Sequence, residues 1–409
     1  MFSIFARVFL AGSGFLVFIV SARLFGAEGR GVISYGVSLF AFSSIIFSFS
    51  LGKTFIAATS QKNDLKSAYI FSFLALNFLA SVCASLFGVL FWCLSESAQS
   101  ILTFHELLAF SIMPFFFVWS FNGTSFFAAF LKTTRQEIII FFSRLLLVIM
   151  LGIYLYFKLV DVRSFIFAYS LILVFGVMCE QIYLFFNIKG HDRFISREFL
   201  AESFRKTFWP HLDFLSFNAF PLILIVMSGV FLSKAALGRA NFSIQLINFV
   251  FLLSTTANIR LSAYISDVGI RQRSQQFIKL LKITFAASLA LVLMIYIALP
   301  MMTRLSFFSS FDGIEKLFLW ISISVPGYML YQFLNPIWLE ASNMQWTAKS
   351  SFVNLVINML LLPFLVTYYG ELGIVLSFSL FHVVLLVVQW LMFRRLVHVN
   401  DGAIKFKIQ

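Results

Sequence analysis

Twelve apolar stretches, each about twenty residues or longer, follow one another along the sequence, at residues 4–25, 32–58, 67–93, 104–131, 137–157, 164–187, 210–233, 239–265, 277–300, 315–340, 349–368 and 372–393. As a helix rising about 1.5 Å per residue, each is long enough for a hydrocarbon core of roughly 30 Å. A membrane β-barrel would need alternating segments of about ten residues, whereas these runs are twice as long and apolar on every face. The sequence therefore predicts an all-α integral membrane protein of about 12 transmembrane helices. Composition agrees: charged residues make up 11% of the chain against about a quarter in soluble domains, and mean hydropathy is +0.95. Twelve spans use up most of the 409 residues and leave no room for a separate soluble domain.

The first 25 residues lack a basic start and an Ala-x-Ala site, so they read as the first span rather than a signal peptide. Cys83, Cys93 and Cys179 are odd in number and sit in or beside apolar runs, which argues against a disulfide framework and against zinc-ligand spacing. No metal or cofactor is expected. The formal charge of +13 would suggest nucleic acid in a soluble protein, but here it first reports topology. Eighteen Lys and Arg residues fall in the connections on the side of both termini, among them Lys62, Lys66, Lys189, Arg205, Arg271 and Lys405. Six fall on the other side: Arg30, Lys158, Arg163, Lys234, Arg239 and Arg304. The positive-inside rule then puts both termini in the cytoplasm. Reporter fusions after Lys206 and after Gln409 should read cytoplasmic, and one after Asp312 periplasmic; a periplasmic C-terminus would mean a wrong span count.

The longest polar interruption, Lys189 to Pro210, falls at the midpoint and divides the chain into a six-helix N-terminal lobe, residues 1–197, and a six-helix C-terminal lobe, residues 198–409. Outward connections are short, which disfavours a membrane glycosyltransferase, polymerase or ligase holding catalytic groups on the outer face. Familiar chemical motifs fail. Gly52-Lys53-Thr54 has the tail of a P-loop but Phe47 where a glycine is required, and Asn122-Gly123-Thr124 is a glycosylation triplet buried mid-span. The five histidines are scattered singly, and no triad or carboxylate pair emerges, so no enzyme is expected.

Ionisable groups inside spans cost several kcal/mol and each needs a reason. Arg7, Lys53, Arg144 and Arg260 fall within roughly four to seven residues of the cytoplasmic span ends, about 6 to 10 Å deep. Glu180 and Asp213 lie at similar depths, as candidates for ion coupling or charge pairing, and leave the belt with a positive surplus. Snorkelling to the headgroups is the plain alternative for Arg7, and a buried ion pair for Arg144 with Glu180. Arg23, near the outward end of the first span, is a further candidate cation, with anchoring at the far interface as its alternative. Setting Gly31 against Gly238 aligns Leu24 with Phe231, Tyr35 with Phe242 and Phe42 with Phe249, and brings Lys53 onto Arg260. Two related halves build a binding site between them, where paired cations suit a pyrophosphate. Pro221, Pro326-Gly327, Pro336 and Pro363 mark backbone breaks that serve either bending or packing.

Ala22-Arg23-Leu24-Phe25-Gly26-Ala27-Glu28-Gly29-Arg30-Gly31, followed by Tyr35 and by Leu51-Gly52, resembles the signature between the first two spans of polysaccharide repeat-unit (O-antigen type) flippases of the multidrug/oligosaccharidyl-lipid/polysaccharide exporter superfamily. Tyr369-Gly370-Glu371-Leu372-Gly373 is similar to the stretch before that family's last span, whereas Gly238-Arg239-Ala240-Asn241-Phe242 departs from the usual Gly-x-Tyr. The resemblance implies a bacterial inner-membrane protein that moves undecaprenyl-pyrophosphate-linked oligosaccharide, for O-antigen or capsule, from the cytoplasmic to the periplasmic leaflet by ion-gradient-coupled alternating access. Membrane lipid and the polymerase and chain-length proteins of such a pathway are the implied partners; nucleic acid is not. A drug/cation antiporter of the same superfamily is the alternative, which would need an acidic rather than a basic cavity. The enzyme alternative is the membrane polymerase or ligase already disfavoured.

Overall fold

The computed structural model describes residues 2–52, 55, 67–129, 133–186, 196–268, 274–304, 306–340 and 344–402. Fourteen α-helices account for nearly all of them: α1 (Phe2–Ser48), α2 (Ser67–Leu94), α3 (Glu96–Ile101), α4 (Phe104–Ser111), α5 (Met113–Ala129), α6 (Thr133–Tyr156), α7 (Val162–Phe186), α8 (Arg197–Ser228), α9 (Lys234–Val268), α10 (Ser274–Thr303), α11 (Ile314–Ser322), α12 (Val325–Glu340), α13 (Met344–Tyr369) and α14 (Glu371–Gly402). A single 3₁₀ turn covers Ser306–Phe311, and no strand occurs among the described residues. Among the described residues, ten segments are each long and apolar enough to cross a membrane, and the bent pair α11–α12 makes an eleventh. Helix α1 counts once in that number although it holds the first expected span and the larger part of the second.

The two are nearly fused because a single residue separates them. Gly26 takes φ 61°, ψ −166°, a conformation open essentially to glycine, and helix resumes at Ala27. The outward loop expected at residues 26–31 is therefore helical. Arg30, counted from sequence as a loop cation, is buried; its Nη1 donates to Ser21 Oγ at 3.0 Å and its guanidinium lies 4.9 Å from the Phe18 ring centroid. The 3₁₀ turn seats on the break, where the Ala27 N–H donates to Ser310 Oγ at 3.1 Å.

Other span boundaries shift for local reasons. The fourth expected span is divided into α4 and α5 at Ile112, two residues before Pro114, which has no N–H to continue the helical ladder to the carbonyl of Phe110 and sits instead in the first turn of α5. Helix α4 starts with a Thr103–Glu106 capping box: Glu106 N–H donates to Thr103 Oγ1 at 3.5 Å and Thr103 N–H to Glu106 Oε2 at 2.8 Å. Helix α8 begins at Arg197, capped by Ser196, so residues 197–210 belong to a helix rather than to the polar connection. The tenth expected span bends by 41° between α11 and α12, just before Pro326.

The helices gather into two compact units, Met1–Asn241 with Ser306–Phe311, and Phe242–Leu305 with Asp312–Gln409. The sequence division at 197/198 thus falls inside the first unit, since α8 packs along α1. Small residues permit that approach: a Cβ on Gly229 would come within 2.4 Å of the Tyr35 ring. Within the second unit α14 packs against α11, α12 and α13. Phe251 stacks on Tyr328 with ring centroids 3.7 Å apart, and His382 is buried beside them with its Nδ1 donating to the Phe378 carbonyl at 2.8 Å.

Candidate functional site

Helix α1 ends in the middle of the second expected span. Phe49 and Ser50 take φ 47° and 49°, two consecutive non-glycine residues in the left-handed region, before helix resumes at Leu51 and Gly52. Such residues cost about 1–3 kcal/mol each and persist where the surroundings over-determine them. Asn122 of α5 does so. Its Nδ2 donates to the Ser48 carbonyl at 3.1 Å and to Asn77 Oδ1 at 2.9 Å, while its Oδ1 accepts the Gly52 N–H at 3.1 Å. Asn77 in turn donates to the Phe73 carbonyl at 2.7 Å. From α8, His211 Nδ1 lies 3.2 Å from Ser50 Oγ. Irregular backbone at membrane depth is tolerated where protein satisfies its polar groups, and Asn122 satisfies one group on each side of the break. Sequence reasoning treated Asn122 as a chance glycosylation triplet. The usable signal was a carboxamide mid-span, which must find partners in protein.

Lys53 follows this clasp in sequence but lies outside the described residues, as do the side chains of Arg7 on α1 and Arg260 on α9. Leu51, Gly52 and Phe55 are buried, with Leu51 and Phe55 in an apolar cluster with Phe73 and Trp119. Arg23 is exposed on α1, and Asp213 is buried on α8 two residues beyond His211.

Arg144 and Glu180 are not joined in an ion pair. The Arg144 guanidinium sits 5.7 Å from the Phe116 ring centroid, a cation–π contact. Glu180, 3% exposed, accepts from Trp119 Nε1 at 2.8 Å and from Gln136 Nε2 at 3.2 Å, both through Oε2. The reason is register. Gln136 pairs with Glu180, and Ser143 donates to the Ile172 carbonyl at 3.3 Å, so residues of antiparallel α6 and α7 that stand level sum to about 316. Arg144 then stands level with residue 172, eight positions or about 12 Å along the axis from Glu180. Equal depth counted from estimated span ends concealed this offset. A double-mutant cycle with Arg144→Gln and Glu180→Gln, read as membrane abundance, is expected to be additive to within about 0.5 kcal/mol; strong coupling would restore the pair.

A second constellation joins the start of the second expected span, in α1, to the start of α9. A Cβ on Gly31 would fall 1.8 Å from the Lys234 carbonyl oxygen, and one on Gly238 would fall 1.9 Å from the Ala27 carbonyl oxygen. Nearby, Asn241 Nδ2 donates to Ser34 Oγ at 2.5 Å, a pair 207 residues apart. Residues 27 and 234, and residues 31 and 238, have the same separation. The contact is therefore reciprocal: each residue meets the counterpart of the one its own counterpart meets, as at a two-fold axis. Offsets of 203, 207 and 211 residues are those of two parallel helices packed in register, and that register is the one obtained by setting Gly31 against Gly238. By the same spacing the sequence counterpart of Lys53 is Arg260.

Known structures share this architecture. An inward-facing multidrug resistance MATE family transporter of the MOP superfamily is 14% identical with a TM-score of 0.71, over 96% of this chain and 95% of that one. The lipid II flippase MurJ in an inward closed conformation is 12% identical, also at 0.71, over 96% of this chain and 86% of that one. A MOP superfamily transporter from Pyrococcus furiosus, described as having a binding pocket of reverse polarity that suggests a different function, is 15% identical at 0.55, over 98% and 93%. No protein-family model and no curated protein matches the sequence. The chain is a multi-pass, all-helical membrane protein with the fold of MOP superfamily transporters and flippases.

Proposed function

We propose that this protein is a flippase that carries undecaprenyl-pyrophosphate-linked oligosaccharide repeat units, for O-antigen or capsule, from the cytoplasmic to the periplasmic leaflet of a bacterial inner membrane. Two six-helix lobes, divided near residue 197, alternate access to a central cavity, driven by an ion gradient, with both termini cytoplasmic. The observation that carries this reading is the reciprocal contact between residues 27–34 and 234–241. It supports the 207-residue repeat, and the repeat makes Lys53 and Arg260 counterparts. Two cations at equivalent positions of the sequence repeat suit the two phosphates of a lipid pyrophosphate. Arg7, Arg23 and Arg144 extend the same positive surplus, and the Arg144 guanidinium lies over the Phe116 ring. The likeness in fold to a lipid II flippase supports a lipid-linked substrate.

The competing reading is a drug/cation antiporter, and one neighbour in fold is a multidrug resistance transporter. Its cationic cargo would meet a cavity of the wrong sign. Reconstitution separates the two: proteoliposomes of the purified chain should exchange a fluorescent undecaprenyl-pyrophosphate oligosaccharide between leaflets and leave ethidium where it is. Ethidium transport without leaflet exchange would overturn the flippase reading.

A further inference from the structure

We propose that Glu180 is a proton-binding site whose occupancy is transmitted through α5 to the broken turn preceding Lys53, so that a proton drives the transport cycle; this rests on the flippase reading. Glu180 stands inside α7 among apolar neighbours, and both of its hydrogen-bond donors, the Trp119 indole and the Gln136 carboxamide, are neutral. An ionised carboxylate in low dielectric without a cation is costly, and taking up a proton removes that cost without moving the backbone. The charged and titratable groups on the elements around it are engaged elsewhere or are of the same sign. From α6, Arg135 binds the Tyr183 hydroxyl, Arg144 lies over Phe116, and Glu137 follows Gln136. From α4, Glu106 is held in its capping box. From α1, which also packs on α7, Arg30 binds Ser21 and lies over Phe18, Arg23 is exposed, Glu28 is of the same sign, and the side chain of Arg7 lies outside the described residues. From α5, Trp119 itself faces the carboxylate, and on α7 the flanking groups are Cys179 and Tyr183.

What makes this a coupling site is its second attachment. Trp119 and Asn122 are three residues apart on α5 and so share a face. One end of that turn of helix holds Glu180; the other holds Ser48 and Gly52 across the left-handed pair Phe49–Ser50. The Trp119 ring meets Phe73 edge-on at 6.0 Å within the cluster that includes Leu51 and Phe55. Protonation turns one carboxylate oxygen into a donor and weakens the acceptor that Trp119 and Gln136 share. Helix α5 is then less firmly tied to α7 and can move with Asn122. An apolar cavity of about 140 Å³, lined in part by Phe47, Phe49, Leu51, Leu76 and Leu79, gives the broken turn space to repack. Movement of that turn changes how the next residue, Lys53, meets a pyrophosphate, and by reciprocity the anion changes the proton affinity.

Infrared difference spectroscopy of the purified full chain tests this, with undecaprenyl pyrophosphate as the added probe. Lowering the pH should raise a carboxylic-acid carbonyl band that is lost in Glu180→Gln. In Trp119→Phe the band should move to higher frequency, because the indole donor is gone. Adding undecaprenyl pyrophosphate to wild type should shift the pH at which the band appears, and Asn122→Ala should remove that shift while leaving the band. In proteoliposomes, an imposed pH gradient should drive the labelled oligosaccharide with wild type, and this drive should be lost in Glu180→Gln. A carboxylate that stays ionised across the accessible pH range, or a band retained in Glu180→Gln, overturns the proton site and leaves the flippase reading standing. If Glu180→Gln does not fold, Trp119→Phe still decides by whether the band moves. A titrating Glu180 in a protein that neither binds undecaprenyl pyrophosphate nor shifts with it overturns the coupling and the flippase reading, leaving the proton site alone.

Discussion

Replacing Lys53 and Arg260 together by alanine is expected to abolish export of the oligosaccharide while the protein remains in the membrane at wild-type abundance. A hydrogen bond to a charged group contributes about 1.5–3 kcal/mol net, so either single alanine variant should lower transport by about ten- to a hundredfold. Arg should replace Lys53 better than Gln does, because the demand is for positive charge rather than for a hydrogen-bonding side chain of similar length. The measurement is leaflet exchange of a labelled undecaprenyl-pyrophosphate oligosaccharide, normalised to membrane protein. Wild-type exchange in the double variant would remove both residues from the substrate path. A loss of abundance in step with transport would make them structural.

The sequence displayed those two cations because their types are anomalous in lipid, and an anomaly can be seen without knowing the fold. Spans were legible for the complementary reason: twenty apolar residues have few other uses. The glycines at 31 and 238 stood out in the sequence for a physical reason, since a side chain there would collide with a carbonyl oxygen and the type of residue is dictated by the contact. What escaped notice was carried by residues of unremarkable type. Trp119 and Gln136 look like ordinary span residues until the register of α6 on α7 brings them to Glu180. Depth measured from span ends could not supply that register, since an error of four residues at each of two ends produces the whole offset between Arg144 and Glu180. Arg30 was misplaced for a related reason. A run of three glycines at 26, 29 and 31 reads as a loop, yet Gly26 alone departs from helix, and close packing rather than chain reversal explains the other two.

Close packing at Gly31 and Gly238 leads to the last expected result. Alanine at either position places a Cβ less than 2 Å from a backbone oxygen, against the 3.4 Å of ordinary contact, so α1 and α9 must part by about 1.5 Å. Overpacking of this kind costs about 1–3 kcal/mol, enough to shift a conformational equilibrium by roughly five- to a hundredfold away from the state that holds the contact. Because the two glycines are reciprocal, the separation that relieves one clash also relieves the other. Gly31→Ala and Gly238→Ala should therefore have similar effects, and the double variant should cost little more than either single. Contact can be followed by oxidative crosslinking after Ser34→Cys and Asn241→Cys, in a background where Cys83, Cys93 and Cys179 are replaced by Ser. Crosslinking should be efficient with both glycines present and fall by a similar factor in all three alanine variants, with transport falling in parallel. Undiminished crosslinking in the double alanine variant would show that the helices do not meet backbone to backbone. Losses that multiply from single to double would show two independent contacts in place of one shared axis, and the pairing of Lys53 with Arg260 would lose its support.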